Sequence, residues 1–302
     1  MKNKNKTVTI IKIHIHYIFV ILCLHVLHKT HTSDKNHNEF KYPIIDLSTE
    51  TEPLDESTIK KLLTYIGNYK IRAWCGFLAR CEGTYRIKID TEQYDGIIPP
   101  LSQYLVCFTH QMADSFDKHP GIIHETINSK GAKLRSSASG RYQFLLKTWN
   151  EILRLINYKN FFNTHKKKLR TMLKKIISLY KYDSLHPSLY KNAYDLIEYE
   201  FGPFMQDLAA IVLLYKANAI DDILKSNYER AIFKCAPIWA SLPYSSLNKS
   251  YYPGQPAFTL AKALEICHDM EKISKQYFDT LQKKNKPHKN KKQLYKEGGK
   301  TI

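Results

Sequence analysis

The segment that most constrains this chain is an apolar helical stripe that ends at a single carboxylate. The stripe follows the spacing i, i+3, i+4 and i+7, and its members are Ile71, Trp74, Cys75 and Leu78. Glu82 lies on the same face, because it follows Ile71 by about three helical turns. Gly83 then suits the left-handed position that commonly closes a helix. An acid in line with a buried stripe is poorly solvated, so its pKa should be raised toward neutrality. Taken alone, the stretch is explained more simply by an exposed glutamate at a frayed helix end.

The composition indicates a folded chain that is attracted to polyanions. Its 302 residues are 43% hydrophobic, which is enough for one large domain or two small ones. Lys and Arg outnumber Asp and Glu by 46 to 28, which gives a formal charge of +18. Such an excess favours nucleic acid, anionic lipid or a cell-wall polymer as a partner, and the charge alone does not choose among them.

The first 30 residues have the pattern of an export signal or a membrane anchor. A basic start leads into an uncharged stretch centred on Tyr17–Leu24. This centre is shorter than the roughly 20 residues of a comfortable membrane span. No small-residue cleavage site follows it. The sequence therefore predicts an exported protein of the cell envelope or periplasm. Anchoring in the inner membrane by residues 10–28 and secretion after cleavage are the two alternatives. Residues 31–56 are polar and are predicted to form a linker.

The cysteines and histidines predict neither a metal site nor a complete disulfide framework. No CxxC pair occurs among the six cysteines, which are Cys23, Cys75, Cys81, Cys107, Cys235 and Cys267. Because Cys23 lies in the N-terminal apolar stretch, five remain, and an odd number favours buried free thiols. A single bridge in an oxidising compartment is the alternative. The N-terminal histidines lack a helical ligand spacing, so no metal and no cofactor are expected.

Helices are predicted over much of the remaining chain. Ser57 suits the N-cap of the first helix, and Met205–Tyr215 is apolar nearly all round, which indicates a central buried helix. The Lys-rich residues 274–302 are predicted to be a disordered tail. Further helices are expected at about 142–156, at about 219–235, and from Pro256 to about Ile273, with the proline in the first turn.

The strand and loop predictions concern two regions of the chain. Short strands or a hairpin are expected within residues 85–127, where Tyr85–Asp90 alternates and Tyr104–Thr109 is β-prone. Residues 128–140 are small and polar and are predicted to form a loop. A second loop is predicted at 238–256, which is rich in Pro, Gly, Ser and Tyr.

A cationic helix is predicted within residues 159–182, which hold eight Lys or Arg and no acid. Its apolar residues keep the helical period, so it could lie on an anionic membrane or polymer. The favoured interpretation is that its apolar face packs on the domain and its lysines are solvated. It belongs to a segment, about 159–200, that we treat as an insertion.

Four separated motifs then resemble one family. In chain order they are 81–84 (CEGT), 104–106 (YLV) with 114–120 (DSFDKHP), 136–144 (SSASGRYQF), and 238–243 (IWASLP) with 252–255 (YPGQ). Together they resemble the phage lambda endolysin family, the lysozyme-like lytic transglycosylases that cut peptidoglycan. The resemblance extends from about Ile71 to Ile273.

This resemblance implies a fold, a substrate and a mechanism. The fold is expected to be mainly helical α+β and lysozyme-like, with a small β region and a two-lobed groove, over residues 57–273. Glu82 would protonate the glycosidic oxygen that leaves N-acetylmuramic acid, and its carboxylate would then take the proton of that sugar's 6-hydroxyl. The expected partner is a peptidoglycan glycan strand, bound by a monomer without a cofactor. The residues expected to contact the glycan are Ser137, Ala138, Tyr142, Gln143, Tyr252 and Gln255.

Three other functions are weighed against this one. A hydrolytic muramidase would cut the same bond with a second carboxylate, for which the candidates are Asp90, Glu92, Asp95, Asp114 and Asp117. A catalytically idle protein could bind wall or membrane through the Lys-rich segments, but the presence of Glu82 weighs against idleness. A nucleic-acid binder is not expected, because no recognition module is present and the basic runs lie in the insertion and the tail.

Overall fold

The computed structural model describes residues 45–49, 52–84, 101–127, 131, 133–176, 199–252, 255 and 257–285. Eight α-helices and one two-stranded sheet lie within these residues, so the predicted mainly helical α+β class is confirmed. The elements are α1 (Glu56–Tyr65), α2 (Tyr69–Cys81), β1 (His124–Ile127), β2 (Lys133–Ser136), α3 (Leu146–Leu155), α4 (Tyr158–Ile176), α5 (Pro203–Lys216), α6 (Ile220–Leu224), α7 (Tyr228–Cys235) and α8 (Leu260–Asn285). The predicted export segment and the alternating stretch at 85–90 lie outside the described residues.

Helices α1 and α2 begin at side-chain caps. Asp55, rather than the predicted Ser57, caps α1, because its Oδ1 accepts a hydrogen bond from the backbone N–H of Thr58 at 2.9 Å. Asp55 is favoured over Ser57 as the cap because its carboxylate also accepts hydrogen bonds from the hydroxyls of Ser57 and Thr58. Asn68 caps α2 through the backbone N–H groups of its first turn.

Strand β1 lies within residues 85–127, where short strands were predicted, whereas β2 lies within 128–140, where a loop was predicted. Strands β1 and β2 pair antiparallel, with Thr126 opposite Leu134. The polar composition of 128–140 concealed β2, in which only alternate residues are buried. Conversely, the β-prone stretch 104–109 lies largely in two 3₁₀ helices, Leu101–Leu105 and Phe108–His110, so that prediction is wrong.

Helix α5 forms the centre of the molecule, as predicted. Every residue from Pro203 to Leu214 is buried, including the polar pair Gln206 and Asp207. Gly202 caps the helix and Pro203 occupies its first turn, where a missing N–H costs no hydrogen bond. The apolar composition predicted this position correctly, but it did not predict the two buried polar side chains.

Helix α3 starts later than the sequence suggested. It begins at Leu146, and Tyr142 lies in the preceding turn. The segment predicted as one helix at about 219–235 is divided into α6 and α7 at Ser226, whose φ is 58°. A non-glycine residue in the left-handed region cannot continue a helix.

Helix α4 covers the first part of the cationic segment. Phe161, Phe162 and Leu169 are buried in the main core, so its described apolar residues pack on the domain as favoured. Residues 177–198 lie outside the description.

Helix α8 shows that the folded region extends beyond Ile273. The helix continues to Asn285, so the prediction of a disordered tail is wrong for residues 274–285. Ser274 is fully buried, and its hydroxyl donates a 2.6 Å hydrogen bond to the carbonyl of Tyr69 at the start of α2. Tyr277 is also in the core. The many lysines of this segment suggested disorder, but the opposite face of α8 is buried and packs against α2.

The described cysteines are free and buried, as the sequence favoured. None of Cys75, Cys81, Cys107, Cys235 and Cys267 forms a disulfide. Burial raises the pKa of each of these thiols, which keeps them protonated and unreactive. Across the described ranges, no helix is both long and apolar enough to span a bilayer.

Candidate active site

Glu82 is delivered to the site by the end of α2. The apolar stripe of α2 is buried as predicted, and the backbone N–H of Glu82 still bonds to the carbonyl of Leu78 at 2.8 Å. Gly83 has a φ of 75° and turns the chain away, which confirms its predicted left-handed conformation. The stripe therefore carries Glu82 into the protein, where it is only 7% exposed.

The carboxyl of Glu82 is in an environment that favours its neutral form. Burial raises its pKa to about 8, and a hydrogen bond from Ser241 partly opposes this rise. That bond joins Oγ of Ser241 to Oε1 of Glu82 over 2.6 Å. No Lys or Arg among the described residues forms an ion pair with Glu82. At neutral pH Glu82 is therefore mainly an acid that can donate its proton.

A tight turn at residues 140–144, which we call the 140s turn, packs beside Glu82. Gly140 has a φ of 79°, and a Cβ there would lie 2.7 Å from Cδ of Gln206 and 2.9 Å from Phe201. Only glycine lets the turn approach α5 so closely. The hydroxyl of Thr84 donates to the carbonyl of Arg141 over 2.7 Å, which ties the turn to the segment after Glu82.

Four of the residues predicted to contact substrate, Ser137, Ala138, Tyr142 and Gln143, lie in or next to the 140s turn. Ala138 is buried, and its carbonyl accepts a 2.7 Å hydrogen bond from the N–H of Phe108. Ser137 is half-buried and accepts from the N–H of Leu146. Gln143 has a φ of 52°, and its amide nitrogen donates to the carbonyls of Val106 and Gly140. Gln143 is half-buried, and its contact with a glycan stays a prediction.

Tyr142 lies in the core, where a glycan could not reach it. Its side chain is 1% exposed, and its hydroxyl donates a 2.6 Å hydrogen bond to Oδ1 of Asp207. Arg141 stacks its guanidinium against the ring of Tyr142, with 5.6 Å between Cζ and the ring centroid. The predicted sugar contact of Tyr142 therefore has no support in this geometry.

Tyr252 and Gln255 belong to the loop that also supplies Ser241. The hydroxyl of Tyr252 donates to the carbonyl of Pro237 over 2.5 Å. Gln255 is half-buried, and its N–H bonds to the carbonyl of Tyr252 over 3.1 Å. The structure places both in a folded loop, and their contact with a glycan stays a prediction.

A buried charged network beneath the site was not predicted. Asp207 pairs with Arg72, and both side chains are 1% exposed. Oδ1 of Asp207 also accepts the hydroxyl of Tyr104 at 2.9 Å, and that hydroxyl accepts from Arg141 at 3.1 Å. Gln206, next in α5, accepts from the N–H of Arg141 at 2.9 Å. Every partner of α5 here is distant in the sequence, so no local pattern could have revealed the network.

Comparison with known proteins identifies the family. A family model described as Endolysin matches residues 72–179 and 180–266. The endolysin of Escherichia phage P2 is 30% identical over 177 residues, which are 57% of this chain and 79% of that protein. The chain belongs to the endolysin family. As a member of that family it is an enzyme of cell-wall lysis.

Two solved structures are also similar to this chain. One is the lysozyme of bacteriophage lambda complexed with a chitohexasaccharide, with 21% identity, a TM-score of 0.42, and coverage of 67% of this chain and 94% of that one. The other is a lysozyme from bacteriophage lambda, with 20% identity, a TM-score of 0.39, and coverage of 68% and 94%.

The endolysin match spans all the residues of the candidate site. Glu82, the 140s turn, Ser241 and the Tyr252–Gln255 loop fall within the matched ranges. The two ranges meet between residues 179 and 180, inside the segment at 159–200 that the sequence analysis treats as an insertion.

Ser241, which contacts Glu82, is a candidate site residue that the sequence did not predict. It lies in the fourth motif, IWASLP, but it was not named as a site residue. A polar residue within an otherwise apolar motif was the available signal. Among the described residues, no cluster of three or more His, Cys, Asp or Glu could hold a metal ion.

Replacing Ser241 by alanine should alter the pH dependence of the enzyme. The lost hydrogen bond stabilises the carboxylate, so its removal should raise the pKa of Glu82 further. We expect the basic limb of the rate profile to move to higher pH, and kcat to fall by about tenfold. Turnover of purified peptidoglycan between pH 5 and 10 would measure both.

The matched control is Ser250→Ala in the same loop. Ser250 is also a buried serine, but its hydroxyl donates to the carbonyl of Ala240 instead of Glu82. A shift of the basic limb in this control as large as that of Ser241→Ala would show that loop damage, rather than the bond to Glu82, is the cause.

Proposed function

We propose that the chain is a peptidoglycan lytic transglycosylase in which Glu82 is first the general acid and then the general base. The observation that carries this proposal is the environment of Glu82: it is buried, has a pKa raised to about 8, and has a hydroxyl, not a cation, as its described side-chain partner. Such a carboxyl is protonated at neutral pH, and once it has given up that proton its carboxylate readily takes up another.

The proposed reaction needs only this one carboxyl. Protonated Glu82 gives its proton to the glycosidic oxygen, and the bond from C1 of N-acetylmuramic acid to that oxygen breaks. N-acetylglucosamine leaves with a 4-hydroxyl. The carboxylate of Glu82 then takes the proton of the 6-hydroxyl as that oxygen bonds to C1. A 1,6-anhydro end forms, no water is consumed, and Glu82 regains its proton.

The hydrogen bond from Ser241 suits the intermediate stage. A hydrogen-bond donor 2.6 Å from Oε1 stabilises the carboxylate that exists between the two proton transfers. Burial favours the acid and Ser241 favours the base, so the pKa lies between the values that either effect alone would give. A group with a pKa near ambient pH serves best in both directions.

Hydrolysis of the same bond is the alternative reaction. It ordinarily needs a second carboxylate to activate water or to act as a nucleophile. Asp114 and Asp117 follow in the sequence, and both are exposed in the structure. Among the described residues, no carboxylate contributes to the shifted pKa of Glu82.

The products of peptidoglycan digestion test the proposed reaction. The full chain is incubated with purified peptidoglycan, and the muropeptides are weighed by mass spectrometry. Transglycosylation predicts products that are lighter by one water than those of hydrolysis and that carry no new reducing end. Reducing ends, lost on Asp114→Asn or Asp117→Asn, would instead establish a muramidase.

The same experiment tests the alternative that the chain binds the wall or a membrane without catalysing any reaction. Retention on the wall without any cleavage would mean that the chain binds and does not react. Because the proposed substrate lies outside the cytoplasm, the enzyme is proposed to act after export or release to the wall. The positive charge of the chain would favour its accumulation on anionic wall polymers or on an anionic membrane surface.

A further inference from the structure

The buried network of Asp207 is connected to the candidate acid through the 140s turn. Asp207 accepts the hydroxyl of Tyr142 at 2.6 Å, and Gln206 accepts the N–H of Arg141 at 2.9 Å. Two adjacent side chains of α5 thus hold two adjacent residues of the turn. Gln206 also donates to the carbonyl of Tyr104 at 2.8 Å, so it cannot rotate freely.

The turn is in contact with both of the segments that carry Glu82 and its partner. On one side, the carbonyl of Arg141 accepts the hydroxyl of Thr84, two residues after Glu82, at 2.7 Å. On the other side, the carbonyl of Tyr142 accepts the indole N–H of Trp239 at 3.3 Å. Trp239 precedes Ser241 by two residues. The acid and its hydrogen-bond donor are therefore both anchored to consecutive carbonyls of one turn.

We infer that Tyr142, held by Asp207, is a positioning residue that fixes the distance between Glu82 and Ser241. The hydroxyl of Tyr142 sets the place of the 140s turn, and the turn sets the places of Thr84 and Trp239. This inference rests on the proposed role of Glu82. It gives Tyr142 a function different from the sugar contact that the sequence suggested.

The hydrogen bonds between the 140s turn and α5 are buried and therefore rigid. Tyr142, Arg141, Asp207 and Gln206 are all at most 1% exposed, so water cannot replace any of the bonds between them. Glu82 and Ser241 belong to different segments, 159 residues apart, and no local structure holds them together. A small displacement of the turn would therefore change the separation of Glu82 and Ser241 and let water reach the carboxyl.

The variant Tyr142→Phe tests the inference because it removes one oxygen atom and keeps the ring. We expect kcat on purified peptidoglycan to fall by about tenfold, with KM changed by less than twofold, since geometry and not binding is altered. We also expect the pKa of Glu82, followed through its ¹³C-labelled carboxyl by NMR, to fall toward its ordinary value. Burial is the larger of the two effects on this pKa, so the entry of water lowers it by more than the loss of the Ser241 bond raises it. Thr84→Val, which removes the bond to Arg141 and keeps the side-chain shape, should reproduce both changes if Tyr142→Phe does not fold.

The control is Ser274→Ala, which also removes a buried hydroxyl. Ser274 bonds to the carbonyl of Tyr69 at the other end of α2, about 20 Å from Glu82 along the helix. We expect its kcat and its Glu82 pKa to equal those of the unmodified chain. If Tyr142→Phe and Thr84→Val also match the unmodified chain while folded, the inference is overturned.

The NMR measurement separates this inference from the proposed function. If Glu82→Gln kept full activity, the proposed role of Glu82 would be wrong. The carboxyl pKa in Tyr142→Phe would still show whether the turn positions Glu82. If Glu82→Gln is inactive and the pKa in Tyr142→Phe is unchanged, the proposed function stands and the positioning role does not.

Discussion

Replacing Glu82 by glutamine is expected to lower peptidoglycan cleavage by about 10²- to 10⁴-fold, the usual contribution of a general acid or base. Glutamine has nearly the same shape, but it can neither give nor accept the proton that the reaction moves. Solubilisation of labelled peptidoglycan at pH 7 would measure the loss. Glu265→Gln, at a glutamate 58% exposed on α8, should keep full activity.

Glu82→Gln should also be more stable to unfolding than the unmodified chain, and the difference should grow as pH rises. The pKa of Glu82 is about 8 in the fold against an ordinary value of 4.5, so the folded chain holds a proton that the unfolded chain releases between these values. Stability is therefore lost as pH rises from 4.5 to 8. With about 1.4 kcal/mol for each unit of pKa shift, the loss is roughly 3 kcal/mol at pH 7.

Glutamine does not ionise, so Glu82→Gln should avoid this loss. Urea unfolding of both proteins at pH 5 and pH 8 would measure it. We expect the difference in unfolding free energy to be small at pH 5 and to reach a few kcal/mol in favour of the variant at pH 8. A difference that stayed constant with pH would mean that Glu82 is hydrated and that the proposed acid is an ordinary carboxylate.

Replacing Asp207 by alanine is expected to have the largest effect on stability. The change leaves the buried guanidinium of Arg72 without its counter-charge and removes the acceptor of two tyrosine hydroxyls. Breaking such a buried pair costs about 3–5 kcal/mol. Thermal and urea unfolding at pH 7 would measure the loss of unfolding free energy.

Asp222→Ala is the comparison for this prediction. Asp222 also forms an ion pair, in its case with Lys234. The side chain of Lys234 is long and partly exposed, so its amino group can turn to water. We expect Asp222→Ala to lower the free energy of unfolding by about 1 kcal/mol or less. Equal losses for Asp207→Ala and Asp222→Ala would contradict the view that Arg72 depends on Asp207.

The parts of the structure that could be predicted from sequence depend on local patterns. The stripe of α2 placed Glu82 at a buried helix end, and Gly83 marked where the chain turns, because neighbours within four residues determine both. The apolar run of α5 likewise showed that this helix is central. The family motifs added the proposed role of Glu82, which no periodicity could supply.

The parts that could not be predicted depend on residues distant in the sequence. The partner of Glu82 lies 159 positions away, and that of Arg72 lies 135 positions away. The family resemblance predicted that Tyr142 contacts the glycan, but its hydroxyl instead donates a hydrogen bond to Asp207 in the core. Lysines on one face of α8 hid the buried Ser274 on the other.

The separation of Glu82 from Ser241 along the chain has a consequence for when the chain becomes active. In an unfolded or incomplete chain Glu82 is hydrated, and its carboxyl has the ordinary pKa of 4.5. It is then ionised at neutral pH and has no proton to give. Its neutral form predominates only once folding has buried the carboxyl at the end of α2, where it contacts Ser241 from the last quarter of the chain. During synthesis, and in any unfolded passage to the wall, the proposed general acid would therefore lack the proton that it must give.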